Sequence, residues 1–198
     1  MLIITISAGL SGTNNMLRVV SSEFENMIFE VVDSKALSLG LGIPVIEAAK
    51  EREQSNDFAK VVERAKSVIS GTRAYFVVKT LEYLKKGGRI GKVEGTIGDI
   101  LQIKPIISIN EDGIYYTYKK VRGRAKSIKE LRELVAEKAK DKLIKVAVVH
   151  GNAMEEAKEL LEEIKSLKNV RETFFGQISP VLVVHTGPGL VGVITTEI

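Results

Sequence analysis

Apolar residues fall along this chain in short β-branched runs that alternate with helical stripes. Leu2 to Ile6 is an apolar run that stops at a Ser/Gly cluster, which predicts a buried strand. Thr13 to Glu23 has helical spacing, with Met16, Leu17 and Val20 on one face and Arg18 off it. Met27 to Val32 predicts a second strand, ended by Asp33-Ser34. Pro44 to Arg52 predicts a helix with proline in its first turn. Ser55-Asn56-Asp57 then caps another helix, whose stripe is Phe58, Val61, Val62, Ala65 and Val68. Alternation of strand and helix predicts α/β layering around a parallel sheet.

Gly71-Thr72 interrupts this rhythm. Ala74 to Val78 predicts a strand, and Leu81 to Lys86 a short helix closed by Gly87-Gly88 in a left-handed cap. Val93 to Leu101 has helical character. Pro105–Ile109 and Ile114–Lys119 flank Asn110-Glu-Asp-Gly113 and predict a hairpin. Ser127 opens an amphipathic helix to about Lys140, with Ile128, Leu131, Leu134 and Val135 inward. Ile144 to His150 predicts a buried strand, and Ala153 to Leu167 a helix laced with Glu/Lys pairs. Val170–Phe175, Val181–His185 and Val191–Thr195 predict the last strands. The expected organisation is a parallel-sheet α/β unit over residues 1–70 and a mixed-sheet α/β unit over residues 71–198.

Charge sharpens the same boundary. The net charge of +4 is unevenly placed: residues 71–129 carry 13 Lys/Arg against 5 Asp/Glu, while the flanking segments are each slightly acidic. A basic middle segment fits either a solvated face or a surface for an anionic partner. With no cysteine there is no thiol nucleophile, thiolate metal site or disulfide frame. Two histidines cannot by themselves build a multi-histidine zinc site. No apolar run approaches the roughly 20 residues that span a bilayer. Met1-Leu-Ile-Ile-Thr-Ile lacks the basic opening of a secretory signal. A cytoplasmic protein without metal or cofactor is the expectation.

Three segments could carry chemistry. Ser7-Ala-Gly-Leu-Ser-Gly-Thr13 lies between a strand and a helix, where backbone N–H groups and hydroxyls meet a positive helix end. It lacks the Lys of a phosphate loop and the third glycine of a dinucleotide fingerprint. It reads equally as a tight turn with Ser11 or Thr13 as helix cap. His185-Thr-Gly-Pro-Gly189 puts a histidine where an apolar run meets a Gly-Pro-Gly turn. It could bind an anion or simply be satisfied by backbone. His150-Gly151 has no hydroxyl neighbour, which favours a structural role. Lys85-Lys-Gly-Gly-Arg-Ile-Gly-Lys92 and Val121-Arg-Gly-Arg-Ala-Lys126 are open basic loops. Sparse aromatic residues around them argue against a nucleic-acid platform. Ser11 is one residue out of register for a nucleophile elbow.

Taken in order, these phrases resemble the DegV family of bacterial fatty-acid-binding proteins. The resemblance also rests on Val32-Asp-Ser-Lys35, Gly40-Leu-Gly42, the segment from Tyr75 to Gly91, Ile103-Lys-Pro-Ile106 and Val121-Arg-Gly-Arg124, and it runs through the whole chain. It implies a two-domain α/β protein closing over one long-chain fatty acid, with the acyl chain in an apolar tunnel between the domains. It implies that the carboxylate is held by Ser7 and its loop (Gly9, Ser11, Gly12, Thr13), with His185 and Thr186 close by. It further implies that Lys86, Arg89, Arg122 and Arg124 dock a fatty-acid kinase or a membrane, so that the protein presents the acid and is not the catalyst. A Ser/His-dependent acyl- or phosphoryl-transfer enzyme is the alternative, and it needs His185 within hydrogen-bond reach of a hydroxyl. Two departures stand out. Ala8 replaces the second serine of the usual Ser-Ser-Gly phrase, and some eighty N-terminal residues usual in the family, with their Thr-Ser-x-Pro turn, are absent. That shortfall implies an exposed strand edge or apolar face and a tendency to form homo-oligomers.

Overall fold

The computed structural model of the protein describes residues 1–96 and 103–198. The first strand, β1 (Leu2–Thr5), pairs in parallel with β2 (Glu30–Asp33), joined by helix α1 (Thr13–Ser21). Helices α2 (Leu39–Ser55) and α3 (Phe58–Ser70) follow, and Ala48, Val61 and Ala65 pack against Leu2 and Ile4. As the sequence predicts, Asp57 caps α3, its carboxylate accepting from the N–H groups of Ala59 and Lys60.

The second sheet is mixed and six-stranded. It comprises β3 (Thr72–Val77), β4 (Ile106–Ile109), β5 (Tyr115–Lys119), β6 (Ile144–Gly151), β7 (Val170–Gln177) and β8 (Leu190–Glu197), in the order β5-β4-β3-β8-β6-β7. The β6–β7 pair is parallel, joined by helix α6 (Met154–Lys165), and the other pairs are antiparallel. β6 is buried along its whole length, as a sheet covered on both faces requires. Strand alternation divides its side chains. Val146 and Val148 meet Val77, Val191 and Val193 in a core under α6 and α5 (Arg124–Lys138). Ala147 and Val149 face the other way, with Phe76, Ile107, Tyr115, Leu190 and Ile194. Leu37, Ile43 and Val68 join that second core from the first seventy residues. The hairpin expected at Asn110–Gly113 is present, with Gly113 at φ +78°.

Four elements differ from the sequence reading. The Val181–His185 run is not a strand but most of helix α7 (Pro180–Thr186). Pro180 starts it with a preset φ, and a five-residue apolar run has no periodicity to separate strand from helix. Helix α2 starts five residues before Pro44, which lies inside it. Gly40 and Gly42 disguised that start as a loop. Gly40 fits a tight spot, since a Cβ there would lie 3.0 Å from the Ala36 Cβ. β2 is shorter than expected and begins only at Glu30. The segment expected to be helical from Val93 opens as a 3-10 helix, Gly91–Thr96, and its remainder lies outside the described residues.

One ion network ties the two sheets together. The Glu47 carboxylate of α2 accepts from Lys145 of β6 at 2.8 Å, Arg64 of α3 at 2.6 Å and Lys50 at 3.0 Å, and Lys145 also meets Glu172 of β7 at 2.7 Å. Burial opposes the Glu47 charge, but the bonds from Lys145, Arg64 and Lys50 outweigh it and bring the pKa down to about 2.

Candidate functional site

The second core opens into a cavity and a groove that share walls. The cavity is about 30 Å³, room for a water molecule and little more. Apolar side chains line it, including Leu37, Phe76, Val149, Ile178, Leu182 and Leu190. The groove, about 510 Å³, runs beside it between Leu39–Leu41 of α2 and Phe175, Val181 and Leu182. Leu37, Ser38, Val149 and Leu182 border both spaces. α7 forms the outer wall, turning Leu182 and Val183 inward and leaving Val181 and Val184 exposed. Its two flanks are pinned to the end of β6. Ile178 N–H donates to His150 O at 2.9 Å, and Gly189 N–H donates to Gly151 O at 2.6 Å.

The Ser7 loop closes one side of this region. Ile6 and Leu10 pack into the same core, so the loop between them is anchored at both ends. Ser7 is fully buried, and its hydroxyl donates to Gly113 O of the hairpin at 2.8 Å and accepts from Gly9 N–H at 3.2 Å. Gly9 has to be glycine, because a Cβ there would stand 2.6 Å from Gly113 O. Neither Ser11 nor Thr13 caps α1. Gly12 holds that position with no side-chain cap, while the Ser11 and Thr13 hydroxyls share a hydrogen bond of 2.8 Å. A second, polar cleft of about 330 Å³ runs between Ala8–Gly12 and Gly88, Arg89, Gly91 and Ile114. Arg89 bridges it, with Nε donating to Leu10 O at 3.3 Å and a guanidinium nitrogen to Gly87 O at 2.9 Å.

His185 lies in the last turn of α7 with its ring against Gly87, where a Cβ would collide with Nδ1. Nδ1 is buried and has no hydrogen-bond partner among the described residues, and no hydroxyl there lies within bonding reach of it. The adjacent Thr186 lines the cavity, its hydroxyl donating to Leu182 O at 2.9 Å. The Ser7 loop and the His185 turn are thus linked through Gly87–Arg89. His150 is 2% exposed, against Phe175, with Nε2 unpartnered among the described residues. Burial first, and the Lys158 charge second, lower its pKa.

The four expected docking cations separate. Lys86 and Arg89 are exposed near α4 (Glu82–Lys86), where Lys86 pairs with Glu82 at 2.7 Å. Arg124 instead makes a two-pronged pair with Glu156 of α6, at 3.0 and 2.8 Å, which lowers the Glu156 pKa. Arg122 is exposed in the loop that leads to α5. Among the described residues no cluster of His, Asp and Glu could hold a metal ion, and no helix is long and apolar enough to cross a membrane. Sequence reasoning missed Ser38, Tyr115 and Leu182, which reach the cavity from three separate elements and share no motif.

A two-sheet α/β protein with an apolar cavity beneath a short helix, flanked by a hydroxyl-bearing glycine loop, is a fold class with known representatives. The chain belongs to the DegV family, whose model, described as an uncharacterised protein family, matches residues 1–197. It is 43% identical over 195 residues to a DegV domain-containing protein of Clostridium acetobutylicum, covering 98% of this chain and 69% of that one. The structure of a DegV family protein from Thermus thermophilus, described as fatty-acid binding, superposes with a TM-score of 0.92 at 28% identity, covering all of this chain and 70% of that one. A DegV family protein from Ruminococcus gnavus, solved with vaccenic acid, superposes at 0.86 with 26% identity, covering 98% and 70%.

Proposed function

We propose that this protein binds a long-chain fatty acid and presents it to a partner, without catalysing a reaction itself. The observation that carries the reading is the apolar cavity and groove under α7, which share four wall residues and lie beside the buried Ser7 loop and the unpartnered His185 Nδ1. Each buried CH₂ of an acyl chain contributes roughly 0.8 kcal/mol. The cavity is too small for such a chain as it stands, so binding has to part Leu37 from Leu182 and join the two spaces. The carboxylate is held at the Ser7 end by the loop Gly9, Ser11, Gly12 and Thr13, with His185 and Thr186 opposite. A relative described as fatty-acid binding and another solved with vaccenic acid support this reading.

Residues 1–70 and 71–198 act as the two halves between which the acid lies. Lys86 and Arg89, beside the exposed Val184 and Tyr83, form the side offered to a fatty-acid kinase or a membrane surface, with Arg122 and Arg124 further along the basic segment. The protein works in the cytoplasm, with no cofactor, no metal and no nucleic-acid partner, and the bare apolar residues of α1 favour a homo-oligomer. The test is native mass spectrometry of purified protein, followed by titration with oleate. Bound mass of a fatty acid, or saturable oleate binding weakened several-fold by Ser7→Ala, is expected. Clean apo protein that ignores oleate overturns the reading, and unchanged affinity in Ser7→Ala removes Ser7 from its role.

A further inference from the structure

Helix α7, the outer wall of the cavity, is held at both flanks by the last two residues of β6. Ile178 N–H donates to His150 O at 2.9 Å just before the helix, and Gly189 N–H donates to Gly151 O at 2.6 Å just after it. Packing follows the bonds. A Cβ on Gly151 would stand 3.1 Å from Ile178 Cδ1 and 3.6 Å from the Leu190 Cβ, and both residues line the cavity. Asn152 then turns the chain toward α6 at φ +54°, a left-handed backbone that asparagine adopts more readily than most residues. Any movement at the end of β6 is therefore passed to both ends of α7.

The side chain at this point is ionisable. By strand alternation His150 shares the face of Val146 and Val148, under α6, while α7 lies over the face of Val149. His150 Nδ1 accepts from Ala153 N–H, at the start of α6, at 3.5 Å. The neutral ring then carries its hydrogen on Nε2, which is buried and finds no acceptor among the described residues. Nothing around the ring favours a second proton. Nδ1 would become a donor facing a donor at the positive end of a helix. The charge that acts on the ring from α6 is Lys158, also positive, and Glu156 of α6 is taken by Arg124 of α5. Gln177 of β7 and Val191 of β8 stand opposite His150, Phe175 of β7 lies against its ring, and none of the three ionises. A charged ring has to reach water, which requires the end of β6 to shift.

We infer that His150 is a proton-sensitive latch on the cavity wall: neutral, it keeps the end of β6 in place and α7 closed, and protonated, it frees both flanks of α7. Freed, α7 carries Leu182 away from Leu37 and joins the cavity to the groove. What the opening releases rests on the fatty-acid reading above, whereas the latch itself belongs to the ligand-free fold. The closed form takes up a proton less readily than the open form, so opening grows as pH falls below the ordinary histidine value of 6.5.

The experiment follows amide hydrogen exchange of ligand-free protein by NMR at about pH 7.5 and about pH 5.5, corrected for the intrinsic rate at each pH. Protection at Ile178 and Gly189 should fall by about threefold or more, while Val146 and Val148 in the middle of β6 keep theirs within about twofold. In His150→Asn, which keeps an acceptor near the Nδ1 position and does not titrate, the fall should vanish. Protection that ignores pH, loss spread equally along β6, or a fall that persists in His150→Asn overturns the inference. Should the variant fail to fold, the ring protons of the two histidines decide in wild-type protein. The fall should track the histidine whose ring shows a nuclear Overhauser contact to Phe175, and a fall that tracks His185 instead overturns the assignment. Dissociation of oleate then joins the latch to the site. From the higher to the lower pH, release should accelerate by about threefold or more in wild type relative to His150→Asn, a ratio in which the ionisation of oleate cancels. An equal acceleration in both proteins overturns the gating of the site by His150. Protein that binds no oleate at either pH fails the carrier reading, while the exchange data decide the latch.

Discussion

The two sheets of this protein are built to different standards. Strands β3, β6 and β8 are packed on both faces, and Leu131, Val135, Ile144, Val146, Val148 and Ile164 are completely excluded from water. The parallel pair β1–β2 is covered mainly by α2 and α3. α1 buries only Asn14, while Met16, Val19 and Val20, with Phe24, Met27 and Ile28 after it, are exposed. Apolar spacing alone therefore does not measure burial: α1 is amphipathic, yet its apolar residues face solvent. What holds the weaker region to the stronger one is specific: the Glu47–Lys145 network and the apolar bridge of Leu37, Ile43 and Val68.

The contrast can be broken from its strong side. Leu131→Ala removes a fully buried side chain and should cost about 2–5 kcal/mol in denaturant unfolding. Val19→Ala on α1 should change stability by less than about 0.5 kcal/mol. Comparable losses at the two sites would erase the distinction. The junction comes next. Lys145→Met leaves the buried Glu47 carboxylate with Arg64 and Lys50 only, and should cost about 3 kcal/mol, with residues 1–70 gaining hydrogen exchange before the six-stranded sheet does. Simultaneous loss of protection in both regions would make the chain one cooperative unit.

Acid should act on the two regions in turn. The folded pKa of His150 is lowered, so its contribution is complete above the ordinary value of 6.5 and is lost as pH falls through its folded pKa. Glu47, lowered from 4.5 to about 2, contributes fully above 4.5 and loses that contribution as pH falls toward 2. Thermal unfolding against pH should therefore show two steps of falling stability. His150→Phe removes the upper step and Glu47→Gln the lower, and absence of either step in the wild type would contradict the matching assignment. The smallest effect is at the bare surface. Val19→Lys should leave unfolding nearly unchanged while lowering any self-association seen by sedimentation velocity. A monomer at all concentrations removes α1 as the contact.

Much of this was legible in the residues. The Asp57 cap, the Asn110–Gly113 hairpin and the buried β6 run each depend on local chemistry, and local chemistry is written in neighbouring residues. The loop that starts at Ser7 and the turn at His185 stood out because glycine and hydroxyls cluster there. α7 was misread because Val181–His185 is too short to carry a period, and its helical form is decided by Pro180 and by the β6 carbonyls that pin its flanks. Tyr115 was invisible as a cavity-lining residue, since a tyrosine in an alternating hairpin strand reads as packing.

The sequence alone determined the family, the α/β alternation, the basic middle segment and the segments that could meet an anion. These follow from residue type and spacing, which survive without any knowledge of contacts. Only the tertiary structure decided which polar groups at the site are already bonded and which are buried without a partner. Ser7 commits its hydroxyl hydrogen to Gly113 O, 106 positions away in the chain, while His185 Nδ1 is buried with no partner among the described residues. Such a difference is set by distances between remote backbone atoms, and no local pattern of side chains encodes it.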